Sequence, residues 1–156
     1  MSKQKTIAKE ISFSGVGLHT ANKCNVTLRS ANADTGIVFM RKDLSGGPEI
    51  KASVECMLPA EKTPRRTSIE SNSAQVQTVE HLMAALSGLG IDNLYVELDS
   101  NELPGLDGSS LNYVELLQAA GLREQDKERK YFSISTPIRI EEGDASIIAL
   151  PSSEFK

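Results

Sequence analysis

Apolar and polar residues alternate in short runs over the first third of the chain. Thr6 to Phe13, Cys24 to Arg29 and Gly36 to Arg41 are rich in β-branched or alternating apolar residues, and Gly15-Val16-Gly17, Ala21-Asn22-Lys23 and Asn32 to Thr35 punctuate them. This pattern predicts a strand meander or set of hairpins. Asp43 to Arg66 contains Gly46-Gly47-Pro48, Pro59 and Pro64, so it reads as loop with one strand near Ile50 to Val54. The period then changes. Val79, Leu82, Met83, Leu86 and Leu89 recur at helical spacing behind Thr78, a residue suited to an N-cap, and Gly88 and Gly90 supply a stop. Asn93 to Asp99 alternates again, with Leu94, Val96 and Leu98 on one side and Tyr95 and Glu97 on the other, as a half-buried strand does. A turn over Leu103 to Ser109 leads to a second helix with Ser110 as its cap, Leu111, Val114, Leu117 and Ala120 as its core stripe, and Gly121 as its C-cap.

After Gly121 the run Arg123 to Lys130 is almost wholly charged or polar and reads as a linker. Tyr131 to Ile140 and Ala145 to Leu150 follow as a strand pair joined by Glu141-Glu142-Gly143-Asp144. The predicted organisation is a first domain over 1–122, a linker over 123–130, and the incomplete start of a second, similar unit over 131–156. The fold class expected is α+β, a two-layer sandwich in which two helices pack on a mostly antiparallel sheet. Because the last strands have no helix to cover them, the chain reads as a fragment.

Composition narrows the function classes. Hydrophobic residues make up 39% of the 156 positions and charged residues 24%, as in folded globular chains. The net charge is −4 and the basic residues are scattered, apart from Lys62 to Arg66 and Lys127 to Lys130, which argues against nucleic acid as a partner. Cys24 and Cys56 are too few for a disulfide framework or a cysteine zinc site, and fit buried apolar roles in a reducing compartment. Met1 to Glu10 lacks the apolar core of a signal peptide, and no run approaches the ~20 apolar residues of a transmembrane span. A cytoplasmic location is the expectation.

Three segments carry candidate chemistry. Glu80 and His81 fall in the first turn of the predicted helix, where the dipole favours an anion and side chains project past the helix end. The pair is also explained by a dipole-matched acid beside an ordinary histidine, since the second histidine of an H-E-x-x-H motif is missing. His19 lies in Gly15-Val16-Gly17-Leu18-His19-Thr20, either a ligand-approaching turn or a hairpin with an exposed histidine. Pro104-Gly105-Leu106-Asp107-Gly108-Ser109-Ser110 suits a helix-entry turn with an Asx interaction from Asp107.

Taken together and in order, Gly15 to Thr20, Thr78-Val79-Glu80-His81-Leu82 with Ala84-Ala85-Leu86, Gly90-Ile91-Asp92-Asn93 and Asp107-Gly108-Ser109 closely resemble the UDP-3-O-acyl-N-acetylglucosamine deacetylases of lipid A biosynthesis. The resemblance covers essentially the whole chain and corresponds to the first domain of that family and the opening strands of its second. It implies a two-domain enzyme, each domain a sheet with two helices, the helices packed face to face. It further implies a zinc-dependent amide hydrolase in which Glu80 is the general base and His81 a zinc ligand. The other protein ligands of that family come from a His-x-x-x-Asp helix of the second domain, and a further histidine there acts as general acid or oxyanion stabiliser; none of these positions exists in this chain. By the same resemblance His19, Leu18 and Thr67 bind substrate or support the site, and Asp107 is a structural residue near it. Arg65-Arg66-Thr67-Ser68-Ile69 stands where the family has a site-lining strand, with Ser68 and Ile69 departing from its usual Thr-Leu. Gly105 replaces an apolar residue of the family. The implied partners are a UDP-linked acylated glucosamine and the protein's own C-terminal domain. By itself the chain is expected to be inactive, the alternative being a non-catalytic interaction domain on the same scaffold.

Overall fold

The computed structural model describes residues 2–153. Met1 and the Phe155-Lys156 end, where another strand is expected to begin, lie outside the described residues. The strand predicted over Thr6 to Phe13 is two strands, β1 (Lys3–Ile7) and β2 (Ile11–Val16). The chain breaks between them because the N–H groups of Ala8 and Lys9 donate to the carbonyls of Gly121 and Ala120, at 2.9 and 3.0 Å, and no longer to a sheet neighbour. There follow β3 (Lys23–Ser30), β4 (Ile37–Arg41) and a short β5 (Glu49–Lys51). Val54 does not extend that strand. It opens a 3-10 turn over Val54–Cys56 and is exposed.

Two strands next form a hairpin, β6 (Ser68–Ser71) and β7 (Ala74–Gln77), turned by Asn72 and Ser73, both with positive φ (49° and 64°). Positive φ at both central residues is the type I′ signature that matches strand twist. Helix α1 (Glu80–Leu89), strand β8 (Leu94–Leu98) and helix α2 (Leu111–Ala120) complete the layered part. Gly90, not Gly88, ends α1: it takes φ +68°, and the N–H of Ile91 reaches back to Leu86 O at 2.9 Å.

The main sheet has the order β2-β3-β8-β4-β5, antiparallel at every step except the parallel pairing of β4 with β8. Its central strand alternates as expected, with Leu94, Val96 and Leu98 buried and Tyr95 and Glu97 half-exposed. The buried face forms one core with Leu82, Ala85 and Leu86 of α1 and with Tyr113, Leu117 and Ala120 of α2. Each large apolar side chain so placed contributes about 1.5–3 kcal/mol. The α+β sandwich with a mostly antiparallel sheet and two helices is therefore present.

The stripe of α2 differs from the expected one. Leu111 is 57% exposed, and Tyr113 takes the core position instead, its ring edge-on to Phe13 at 5.7 Å and its hydroxyl donating to Pro104 O at 2.6 Å. Because the helix begins only at Leu111, that residue lies at its open end, and the buried set runs i, i+4, i+7 from Tyr113.

Leu122–Glu128, which takes up most of the expected linker over 123–130, is a strand, β9, antiparallel to β1. The strand and the two residues after it are fastened by polar bonds rather than by apolar burial. Gln125 donates to Ala31 O, Lys127 and Lys130 pair with Asp34, and Arg129 pairs with Asp92. The last two strands, β10 (Ile138–Glu142) and β11 (Ala145–Ala149), form a hairpin as expected, but the first begins at Ile138 and not Tyr131, and Glu141 and Glu142 pair within the ladder, leaving Gly143-Asp144 as the two-residue turn. Every residue of this hairpin is exposed. No helix among the described residues is long and apolar enough to cross a membrane. Cys24 is buried, which pushes its thiol up to about 12, and Cys56 is half-buried; both are free.

Candidate active site

Thr78 is not the N-cap of α1. Its backbone lies in the left-handed region, φ +58°, and its hydroxyl is directed to Glu102, donating to Oε1 at 2.7 Å. Val79 occupies the cap position without a side-chain bond. The helix start is held instead by Thr67. Its N–H donates to Glu80 Oε2 at 3.0 Å, and its carbonyl accepts from Val79 N–H at 3.2 Å. Glu80 and His81 are both half-buried at this end of the helix, open to solvent on one side. A left-handed β-branched residue is an outlier that surrounding structure must enforce. Here the enforcement comes from Glu102, from the two backbone bonds of Gln77 just before it, Gln77 N–H to Asn101 O and Leu103 N–H to Gln77 O, and from Val79 N–H to Thr67 O just after it.

Glu102 was not singled out in the sequence, yet it joins the pieces. Its side chain is fully buried and accepts from His19 N–H at 3.0 Å, from Thr20 N–H and the Thr20 hydroxyl at 2.7 Å each, and from the Thr78 hydroxyl. Burial pushes this carboxyl up. The bonds from the Thr20 hydroxyl, His19 N–H, the Thr78 hydroxyl and Thr20 N–H outweigh it, holding the group down at about 2 against an ordinary 4.5. Gly17 is required beside it: a Cβ there would meet Thr20 Oγ1 at 2.7 Å and the Glu102 carboxyl carbon at 2.8 Å. Nothing near Glu102 in the sequence marks this role, because its donors lie far away, at positions 19, 20 and 78.

The Gly15–Thr20 loop and the Pro104 turn run side by side, through a Gly17–Pro104 bridge and a Gly105 N–H bond to Val16 O at 3.0 Å. This accounts for Gly105. A Cβ there would stand 3.3 Å from Leu18 Cβ. Leu18 (66% exposed) and His19 project into solvent from a backbone that is pinned underneath.

Asp107 accepts from Ser109 N–H and Ser109 Oγ, both at 2.9 Å, and Ser109 Oγ accepts in turn from Leu111 N–H at 3.0 Å. Ser109 therefore caps α2, while Ser110 occupies the cap position without a side-chain bond. The Ser109 N–H, then its hydroxyl, and then the backbone N–H of Asp107 itself hold the Asp107 carboxyl below the usual carboxylate range, with nearby His81 the smallest contribution.

The fold thus brings Thr67 onto Glu80, Asp107 into the field of His81, and the His19 loop onto Thr78 through Glu102. Among the described residues, no group of three or more His, Cys, Asp or Glu side chains is placed to hold a metal ion. His81, a half-buried imidazole at the start of a helix beside a tethered carboxylate, has the donor chemistry of a zinc ligand.

Comparison with known proteins gives the family. Residues 4–156 match the family model of UDP-3-O-acyl N-acetylglycosamine deacetylase. The UDP-3-O-acyl-N-acetylglucosamine deacetylase of Idiomarina loihiensis is 44% identical over all 156 residues, which make up 50% of its own length. That of Colwellia psychrerythraea is likewise 44% identical over 156 residues and 50% of its length. The Xanthomonas campestris pv. campestris protein of the same name is 47% identical over 144 residues, 92% of this chain and 46% of the relative. The chain spans about half the length of the relatives it matches. With the ordered motifs, the sandwich and a match along nearly the entire sequence, the chain belongs to the UDP-3-O-acyl N-acetylglycosamine deacetylase family.

Proposed function

We propose that this chain is the N-terminal half-site of a zinc-dependent hydrolase that removes the acetyl group from UDP-3-O-acyl-N-acetylglucosamine in lipid A biosynthesis, working in the cytoplasm. The observation that carries the reading is the tethering of Glu80 by Thr67 N–H at the open start of α1, with His81 next to it. Adjacent helical residues diverge by ~100°, so one side chain can hold a metal while its neighbour faces the reacting water. Glu80 takes the proton from that water and returns it to the departing amine. The Thr67 bond fixes one carboxylate oxygen and so aims the other. His81 would be one of three protein ligands; a bound zinc supplies Lewis-acid polarisation of the amide carbonyl and a lowered pKa for the attacking water.

His19 and Leu18, exposed on the pinned loop, are the substrate-facing residues of this half, and Thr67 lines the site. Asp107 keeps the α2 turn in place near His81. The remaining ligands and the oxyanion-stabilising group belong to the protein's C-terminal domain, so the 156 residues alone are expected to lack turnover.

The test is to join residues 1–156 to the C-terminal half of the Idiomarina loihiensis relative and measure acetate release from UDP-3-O-acyl-N-acetylglucosamine. The fusion should turn over and the separate chain should not. A folded, zinc-loaded fusion with no acetate release contradicts the proposal, and so does turnover by the chain alone.

A further inference from the structure

The proposed reaction requires the Glu80–His81 turn and the Leu18–His19 loop to keep a fixed relation, although they come from distant parts of the sequence and share no direct hydrogen bond among the described residues. Both are tied to one buried side chain. Glu102 accepts two backbone N–H groups and a hydroxyl from the loop side, at His19 and Thr20, and the Thr78 hydroxyl from the helix side. Thr78 is two residues before Glu80 and is the strained residue, φ +58°, that turns the chain from β7 into α1. Gly17 leaves the space that this carboxylate fills.

We infer that Glu102 is a positioning residue for the reaction, a buried carboxylate clamp that sets the substrate-facing Leu18–His19 loop against the Glu80–His81 helix start. This rests on the deacetylase reading above, and it adds a residue that touches neither metal nor substrate. A carboxylate suits the task because all its lone pairs accept, and every group facing it here is a donor. An amide of the same shape must turn its NH2 toward one set of those donors. Glu102→Gln therefore breaks the clamp while preserving volume.

Two arms test the inference. In the 156-residue chain, amide NMR spectra and hydrogen exchange report the geometry without any catalysis. Glu102→Gln should shift the amides of His19 and Thr20, speed their exchange, and also move those of Glu80 and His81. In the active fusion, the same substitution should lower kcat by about 10- to 100-fold, the scale of a misplacement of roughly 1 Å, with a smaller change in KM. Should Glu102→Gln fail to fold, Thr78→Val removes one bond at constant shape and Thr78→Ser restores it. Val should then lower kcat and move the Glu80 and His81 amides, and Ser should recover both.

Amide changes confined to His19 and Thr20, with Glu80, His81 and kcat unmoved, would overturn the clamp. So would equal loss of kcat in Thr78→Val and Thr78→Ser. If the wild-type fusion is inactive, the deacetylase reading fails, and the NMR arm still decides whether Glu102 couples the two segments.

Discussion

Glu80 and Glu102 flank the same loops and are held in opposite ways. Glu80 is half-buried and engaged at one oxygen by a single backbone N–H, whereas Glu102 is fully buried and accepts from His19, Thr20 and Thr78 together. A carboxylate that is to exchange protons with a substrate must keep an oxygen free and accessible. One that is to fix geometry must be saturated with donors, so that its charge stays in place across the working pH range. The difference separates chemistry from support within one site, and it predicts that substitutions at the two positions will fail in different ways.

The largest expected effect is on stability at Glu102. Glu102→Ala strands the buried Thr78 hydroxyl and three partly buried donors of His19 and Thr20, and should cost about 3 kcal/mol, at about 1–3 kcal/mol for each buried group left unsatisfied. Glu80→Ala should change stability by less than ~1 kcal/mol, since the Thr67 N–H it releases lies at the solvent-facing helix start. Chemical denaturation of the two variants breaks the comparison if their order is reversed.

Acid sharpens it. The folded pKa of Glu102, about 2, lies below its ordinary 4.5. Its contribution is therefore fully present above pH ~4.5 and is lost as the pH falls toward 2. The stability gap between the wild type and Glu102→Gln should narrow over that window. A gap that stays constant between pH 6 and pH 3 contradicts the assignment.

The core positions of α2 offer a contrast remote from these carboxylates. Leu117, fully buried, should cost about 2–5 kcal/mol when changed to Ala, while the exposed Leu111 should cost no more than about 0.5 kcal/mol. Equal costs would contradict the placement of Leu111 outside the core.

What the sequence made legible follows the same division. Strand β8 and the helix α1 were readable because apolar burial imposes a period, and Leu94, Val96, Leu98, Leu82 and Leu86 all obey it. Strand β9 was not, because it is held by its backbone ladder to β1, with its side chains nearly all exposed, so no apolar alternation marks it. The β6–β7 hairpin left a usable signal in Asn72-Ser73 between Ile69 and Val76. At the site, the order of motifs pointed to Glu80 and His81, whereas Glu102 stayed hidden because its meaning depends on donors brought from positions 19, 20 and 78. The role of Thr78 was obscured for the same reason: a threonine before a helix reads as a cap, and only the fold shows its hydroxyl engaged by a buried carboxylate.

The most direct test of the division of labour between Glu80 and its neighbour is to measure zinc content and turnover together, in Glu80→Ala and His81→Ala forms of the fusion. Glu80→Ala should retain zinc and lose about 10²–10⁴-fold in kcat, the usual contribution of a general base, while His81→Ala should lose zinc itself. Equal zinc loss in both variants, or full turnover in Glu80→Ala, contradicts the account.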